Sequence, residues 1–242
     1  MSRARQTAIG LFLAIAVIAS WLAVHVLAVF FLPLDRLALL LAPPLILLQC
    51  WLSVGLFIVA HDCMHGAFAP GRPALNRAVG RLALGLYAGF SFDRLAGKHF
   101  EHHRHAGTAA DPDFDAAHPR HFWPWYRRFF GQYFGLRELC VLALAVAVYL
   151  FVLDASLANL LLFWSLPAIL SSLQLFLFGT YLPHRAGEEP FADRHRARSN
   201  GFGPGLSLLT CFHFGYHHEH HRSPATPWWR LPAERATSAN AR

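Results

Sequence analysis

Charged side chains are scarce in this sequence. Aspartate, glutamate, lysine and arginine make up 14% of its 242 residues, whereas soluble domains contain about 25%. Hydrophobic residues make up 55% of the chain, and Lys98 is the single lysine beside 20 arginines. This composition excludes a disordered chain and is unlike that of an ordinary soluble protein.

Motifs of several protein classes are missing. The four cysteines form no CxxC pair, and three of them lie in or beside apolar runs, which argues against a disulfide framework. Neither a GxGxxG string nor an iron–sulfur cysteine spacing is present. The formal net charge is +7, but a nucleic-acid-binding protein would not normally be this apolar. We therefore interpret the positive charge as facing a membrane and predict no nucleic-acid partner.

Long apolar runs dominate what is present. The runs 7–32, 37–60 and 157–182 hold no charged residue and exceed the roughly 20 residues that a helix needs to cross the hydrocarbon core. A shorter run extends to about 136–153. We therefore predict an all-α integral membrane protein with four transmembrane helices in two hairpins. Cytoplasmic or interfacial helices would complete one domain over 1–232, followed by a disordered tail over 233–242.

The basic residues predict the orientation. Twenty of the 21 basic residues would lie on one side of the membrane, namely Arg3, Arg5, ten between the hairpins and eight after them. Arg36 would lie on the other side. Positive residues mark cytoplasmic loops, so both termini and both long polar segments are predicted to be cytoplasmic. The apolar stretches 78–92 and 122–134 are too short to span and are predicted to be interfacial or re-entrant helices. The residues expected at the headgroup boundary are Trp123, Trp125, Tyr126 and Phe129.

Histidine is over-represented, with 16 copies. An HxxxH string at 61–65 and HxxHH strings at 99–103 and 217–221 would each place their imidazoles on one helix face. Neutral imidazole suits iron, copper, nickel and zinc. Two such ions would need roughly eight to ten protein donors. Nine histidines could supply them, namely His61, His65, His99, His102, His103, His184, His217, His220 and His221.

Isolated histidines are more often structural or exposed than ligands. That is the interpretation for His25, His118, His121 and His195, with His25 expected to be hydrogen-bonded inside the first apolar run. The roles of His105, His213 and His218 stay open.

Further side chains could support a metal centre. Asp62 lies between two candidate ligands and could orient a ring through its second nitrogen. The string ADPDFD holds Asp111, Asp113 and Asp115, which could do the same or could stabilise a turn. Thr180 precedes His184 by four residues and could reach a metal through water.

Longer strings carry a resemblance to a known family. Three histidine boxes on a four-helix membrane scaffold resemble the membrane fatty-acid desaturase superfamily of non-haem di-iron enzymes. A closer resemblance, to the bacterial β-carotene ketolase (carotenoid 4,4′-oxygenase) family, spans about residues 7–232 and shows no departure at a box position. It is carried by HDCMHGAFAPGRPALNRAVG (61–80), LGLYAGFSFD (84–93), KHFEHHRHAGTAADPDF (98–114), FGTYLPHR (178–185) and FHFGYHHEHH (212–221).

That resemblance implies a function. The nine histidines would hold two iron ions, and O₂ would oxidise C4 of a β-ionone ring to a ketone through two successive hydroxylations. The products would run from β-carotene through echinenone to canthaxanthin, and from zeaxanthin to astaxanthin. Substrate would come from the bilayer of the bacterial inner membrane, and electrons from an external donor such as ferredoxin. Phe90, Phe92, Trp123 and Trp125 could line the route of the ring or form a plain interfacial belt.

Two other classes stay open. Another membrane di-iron oxidase, such as a fatty-acid desaturase, an alkane hydroxylase or a carotenoid 3-hydroxylase, would use the same boxes. A metal transporter or a haem-binding membrane protein would also need histidines. However, transporters usually place ligands near the membrane midplane, whereas these histidines lie at predicted cytoplasmic ends.

Overall fold

Three long apolar helices organise the structure. The structure is a computed structural model that describes residues 1–187 and 190–240. Helices α1 (Arg3–Phe31), α2 (Arg36–Met64) and α7 (Leu157–His184) are each long and apolar enough to cross a membrane. The shorter helices are α3 (Pro73–Ala88), α4 (Phe92–His105), α5 (Phe122–Tyr133), α6 (Leu136–Phe151), α8 (Pro204–Cys211), α9 (His217–Arg222) and α10 (Leu231–Asn240).

The fourth predicted transmembrane helix is broken. Helix α6 has 16 residues, which at 1.5 Å per residue is about 24 Å, short of the roughly 30 Å hydrocarbon core. It reaches the composition of a span only together with α5, and the two helices are bent by 78°. Phe134 and Gly135 are both extended and separate them. The structure therefore has three candidate spans, or four if the bent pair counts as one.

Polar caps fix the ends of the long helices. The Asp35 carboxylate accepts a hydrogen bond from the Ala38 amide at 2.8 Å where α2 begins. Asn159, in the first turn of α7, donates from Nδ2 to the carbonyl oxygens of Ala28 at 2.9 Å and Leu32 at 2.8 Å. These bonds hold the start of α7 against the end of α1.

Helix α2 lies at the centre of the bundle and packs against α1, α3 and α7. Its residues Val54 and Leu56 are fully buried. Apolar side chains also cover the outside of the bundle, and Phe12, Leu40 and Phe151 are each more than 70% exposed. Because apolar surface is favoured in lipid rather than in water, these faces fit a bilayer.

The last helix differs from the expected disordered tail. Helix α10 runs over Leu231–Asn240, and residues 241–242 lie outside the described residues. The Arg235 guanidinium donates to Glu219 Oε1 at 3.0 Å, which ties the helix to α9. Alanine, glutamate and arginine favour a helix, so this segment becomes ordered once it has a partner to pack against.

Candidate metal centre

The first pair of histidines comes from the end of α2. His61 is 2% exposed, and His65, four residues later, caps the helix. The next residue, Gly66, has a φ of +67°, the left-handed conformation that ends a helix with little steric cost only at glycine. The chain therefore turns away at Gly66 and leaves both imidazoles at the helix end.

Helix α4 carries the second set. Ser91 caps it by accepting from the Arg94 amide, and His99, His102 and His103 follow within the last two turns. The Nε2 atom of His99 lies 2.7 Å from Nε2 of His65 and 3.1 Å from Nε2 of His103. His102 points instead to His221, with 3.2 Å between their Nε2 atoms.

Helix α9 and the end of α7 complete the site. His217, His220 and His221 are at most 3% exposed, and His184 is 1% exposed. The structure brings all nine predicted ligands into two groups, and within each group the ligand atoms lie within 4.8 Å of one another. The first group is His61, His65, His99, His103 and His220, and the second group is His102, His184, His217 and His221.

The donor chemistry of both groups fits transition-metal ions. Imidazole nitrogens bind such ions at about 2.0–2.1 Å, which separates neighbouring ligands by about 3 Å. A ring nitrogen holds at most one hydrogen, so the run of close Nε2 contacts from His65 through His99 and His103 to His220 cannot be satisfied by hydrogen bonds alone. Within the described residues, the buried Nε2 atoms of His61 and His184 have no hydrogen-bond partner. One cation bound in each group would satisfy these atoms.

At neutral pH five of the nine rings are uncharged, namely His65, His99, His217, His220 and His221. Burial, followed by the proximity of other imidazoles, lowers the pKa of His99, His217, His220 and His221 well below the usual value. Burial likewise lowers the pKa of His65 to about 4. Neutral rings keep a free lone pair, which is the form that binds a metal.

His102 has a partner that fixes its tautomer. Its Nδ1 atom donates to the Asp111 carboxylate, 2.9 Å from Oδ1 and 3.0 Å from Oδ2, so the lone pair is on Nε2, which faces the second group. Burial lowers the pKa of His102, but the bond to Asp111 and the charge of Asp113 outweigh it, and the pKa is raised. Asp111 also accepts from the amides of Gly107 and Asp113, each at 2.8 Å. It therefore orients a ring and stabilises a turn at once.

The other residues predicted to support a metal centre lie near the two histidine groups, but they make longer contacts with the histidines than Asp111 does. Asp113 Oδ2 is 3.8 Å from His102 Nδ1, and its carboxylate accepts from Tyr133. Asp62 Oδ1 is 3.8 Å from His61 Nδ1, which is beyond a hydrogen bond, while its Oδ2 accepts from the Trp228 amide at 3.0 Å. Thr180 is 7% exposed and lines the cavity described below.

The remaining seven histidines lie outside both groups. His25 makes the expected interior hydrogen bond, with Nε2 2.8 Å from the Tyr149 hydroxyl. Among the three open cases, His218 Nε2 lies 2.8 Å from Asp193, and His213 stacks on Tyr216 and Trp228. The others are His105, His118, His121 and His195.

An apolar cavity adjoins both groups and is called here the ring cavity. His61 and His99 of the first group and His102 and His217 of the second reach its wall. The rest of its lining is mostly aromatic and aliphatic, namely Phe57, Tyr87, Phe90, Leu95, Phe129, Phe130, Tyr133, Leu175, Gly179 and Phe214, with Asp113, Ser172 and Thr180 as further polar members.

The aromatic helix α5 was only partly predicted. Trp123 is 66% exposed, as a headgroup-facing side chain would be, but Trp125 is fully buried and its indole donates to the Asp113 carbonyl at 2.6 Å. The interfacial prediction for Trp125 is therefore wrong. The sequence analysis also did not predict that Phe129 and Tyr133 line a cavity beside the histidines, as they do in the structure. The signal was the spacing of 125, 129 and 133, which places three aromatic rings on one helix face.

Comparison with known proteins identifies the family. The family described as "Fatty acid desaturase" matches residues 35–139 and 133–241. A beta-carotene ketolase of Paracoccus sp. (strain N81106 / MBIC 01143) is 52% identical over 243 residues, covering 100% of this chain and 98% of that protein. The chain belongs to the bacterial beta-carotene ketolases of the fatty acid desaturase family. The resemblance carried by the histidine strings is thereby confirmed.

Other ketolases are similar over different lengths. A beta-carotene ketolase of Paracoccus sp. (strain PC1) is 50% identical over 242 residues, covering 98% of this chain and 96% of that protein. Beta-carotene 4-ketolase 3 of Haematococcus lacustris is 43% identical over 188 residues, which is 75% of this chain and 58% of the algal protein. The similarity to the bacterial ketolases therefore extends over nearly the whole length of both partners.

Proposed function

We propose that this membrane oxidoreductase uses O₂ to convert C4 and C4′ of β-ionone rings into ketones, taking β-carotene to echinenone and canthaxanthin. Zeaxanthin would give astaxanthin in the same way. The observation that carries the proposal is the ring cavity, because an apolar chamber is walled by histidines of both groups. The near-full-length identity to beta-carotene ketolases supports this substrate over an acyl chain.

The nine histidines are the proposed ligands of two iron ions. The first group would hold one ion and the second group the other, with Asp111 keeping His102 oriented. Bound iron would supply the redox chemistry that activates O₂. Three more residues are proposed to act on the ligand imidazoles without binding the ions, by orienting a ring or holding water. They are Asp62, Asp113 and Thr180.

The cavity residues position the substrate. A chamber lined by Phe90, Phe129 and Phe214 gives a hydrocarbon ring apolar surroundings like those of the lipid from which it comes. Once there, its C4 would face the imidazoles of His61 and His217. The aromatic walls would also exclude bulk water from the oxidation.

Each hydroxylation needs a reductant. One O₂, two electrons and two protons give the alcohol and one water, and a second round on the same carbon gives a gem-diol that loses water to leave the ketone. No dinucleotide or iron–sulfur motif is present in the chain, so we propose that an external carrier such as ferredoxin supplies the electrons. The excess of arginine on the histidine side of the helices supports a cytoplasmic site in the bacterial inner membrane.

Expression in bacteria that accumulate β-carotene tests the function. We expect echinenone and canthaxanthin by chromatography and mass spectrometry, with oxygen from ¹⁸O₂ incorporated before exchange with water. Zeaxanthin would indicate a 3-hydroxylase, and new double bonds in acyl chains would indicate a desaturase. Bound metal without any oxygen-dependent product would favour a transporter or a haem-binding protein.

A further inference from the structure

A second cavity lies beside the ring cavity, between α6 and α7. It is called here the lateral groove. Leu142 and Val146 of α6 form one wall, and Ala168 and Ile169 of α7 form the other. Its lining is apolar and aromatic apart from the hydroxyls of Tyr87, Ser165 and Ser172.

The lateral groove and the ring cavity share a wall. Tyr87, Phe90, Phe130 and Ser172 line both spaces. Tyr87 and Ser172 are tied to neighbouring helices, since Ser171 Oγ lies 3.3 Å from the Tyr87 hydroxyl and the Tyr126 hydroxyl donates to Ser172 Oγ at 3.1 Å. These four residues therefore stand between a chamber at the histidines and a groove on the flank of the helices.

The groove faces the lipid. Ile169 in its wall is 57% exposed. In the part of the chain that the structure describes, α6 buries only Glu138, so most of this helix is exposed or half-buried. The chain bends by 78° between α5 and α6. The groove beside α6 faces the membrane, and its inner wall is shared with the ring cavity.

We propose that the lateral groove binds the polyene chain of a carotenoid while the terminal ring occupies the ring cavity. This inference rests on the proposed function and adds the site for the part of the substrate that does not react. A conjugated chain is stiff and cannot fold up beside its ring, so it must leave the cavity through an opening that continues in one direction. The groove extends from the four shared residues toward the lipid in which the substrate is dissolved, so a chain that passes between those residues would lie in it.

Binding under anaerobic conditions without an electron donor tests the site separately from turnover. The intact, iron-loaded protein in lipid nanodiscs is titrated with β-carotene, and bound pigment is measured by its absorption after separation from empty discs. Ala168→Phe fills the groove without touching the ring cavity, and we expect at least a tenfold weaker affinity. Leu166→Phe is the matched control, because Leu166 is on the same helix, is 36% exposed and lines neither described cavity. We expect its affinity to stay within twofold.

A second measurement covers the case in which Ala168→Phe disturbs the fold. The photoreactive residue p-benzoylphenylalanine replaces Ile169 in one protein and Leu166 in another, and irradiation with bound β-carotene is followed by mass spectrometry. A carotenoid adduct at 169 and little at 166 supports the groove. Equal adducts at both positions, a lipid adduct alone at 169, or unchanged affinity in Ala168→Phe would overturn it. If those results came with normal ketone formation by the unsubstituted protein, the groove would fail while the proposed function stood.

Discussion

Single residues decide how one histidine string contributes to two separate histidine groups. In α4, His99 and His103 join the first group, while His102 between them joins the second. In α9 the assignment is reversed, with His217 and His221 in the second group and His220 in the first. Residues four apart lie on one side of a helix, and the residue three apart is offset around it. Each HxxHH helix therefore stands between the two groups and contributes to both.

Removal of one imidazole should affect one group more than the other. We expect His220→Ala or His103→Ala to lower ketone formation by at least about 100-fold, because each removes a donor that faces the other rings of the first group. Iron measured by mass spectrometry should fall toward one ion per chain. His121→Ala, an exposed histidine outside both groups, is the control and should keep activity and iron. Full activity in the His220 variant with normal membrane insertion would contradict the ligand assignment.

Asp111 should act through His102 rather than on the substrate. Asp111→Asn keeps an oxygen that can accept from the Gly107 and Asp113 amides but loses the negative charge that holds the His102 Nδ1 hydrogen. We expect metal affinity to fall about 10- to 100-fold, measured by competition with a chelator, with little change in the melting temperature. Asp115→Asn is the control, since Asp115 pairs with the exposed His118. Equal metal affinity in both variants would leave Asp111 with a turn role alone.

Helical elements were predictable wherever the sequence had a strong local signal. The long runs 7–32, 37–60 and 157–182 correspond to α1, α2 and α7 because an apolar stretch of that length has few other stable forms in a membrane. Helices α5 and α6 were harder, because an aromatic helix suits both an interface and a core. The side on which α5 is buried depends on Phe176 and Tyr181 of α7, whose rings lie about 5–6 Å from those of Phe122 and Trp125, and no local pattern encodes that contact.

The end of α3 offers a test of element geometry. Gly89 has a φ of +67°, and an added Cβ would come 2.5 Å from Val141 Cγ1 of α6. We expect Gly89→Ala to destabilise the protein by about 1–3 kcal/mol, since it adds left-handed strain and a steric clash. Gly85→Ala, in the same helix with no atom near the added Cβ, should be neutral or stabilising by up to about 1 kcal/mol. Thermal unfolding in detergent compares the two, and equal melting temperatures would argue against the close approach of α3 and α6.

At the scale of the whole molecule, the nine candidate ligands could be found from the sequence, but their division into groups could not. The candidate ligands come from distant parts of the chain, for example His61, His102, His184 and His221. Their proximity depends on how α2, α4, α7 and α9 converge. The ring cavity has the same origin, because its walls come from six helices and the segment around Phe214. Spacing along one helix reports which residues share a face, but it carries no information about the element opposite.

That convergence should make the stability of the protein depend on pH in a defined direction. The pKa values of His99, His217, His220 and His221 are lowered in the folded protein, first by burial and then by one another. Above the unfolded value of about 6.5 these rings are neutral in both states, and their contribution to stability is fully present. Below it the unfolded chain takes up protons that the folded chain does not, so the free energy of unfolding falls by about 1.4 kcal/mol per pH unit for each such ring.

His102 opposes this trend, because its pKa is raised and it favours the folded state at lower pH. Four rings outweigh one, so we expect the metal-free protein to lose melting temperature steadily from pH 6.5 to pH 5 and to change little between pH 7 and pH 8. Iron should be released in the same acidic window, since protons compete with the ion for the same lone pairs. Differential scanning fluorimetry and bound-iron measurements across this range check both effects. A melting temperature that stays level down to pH 5 would mean that these rings are not buried together.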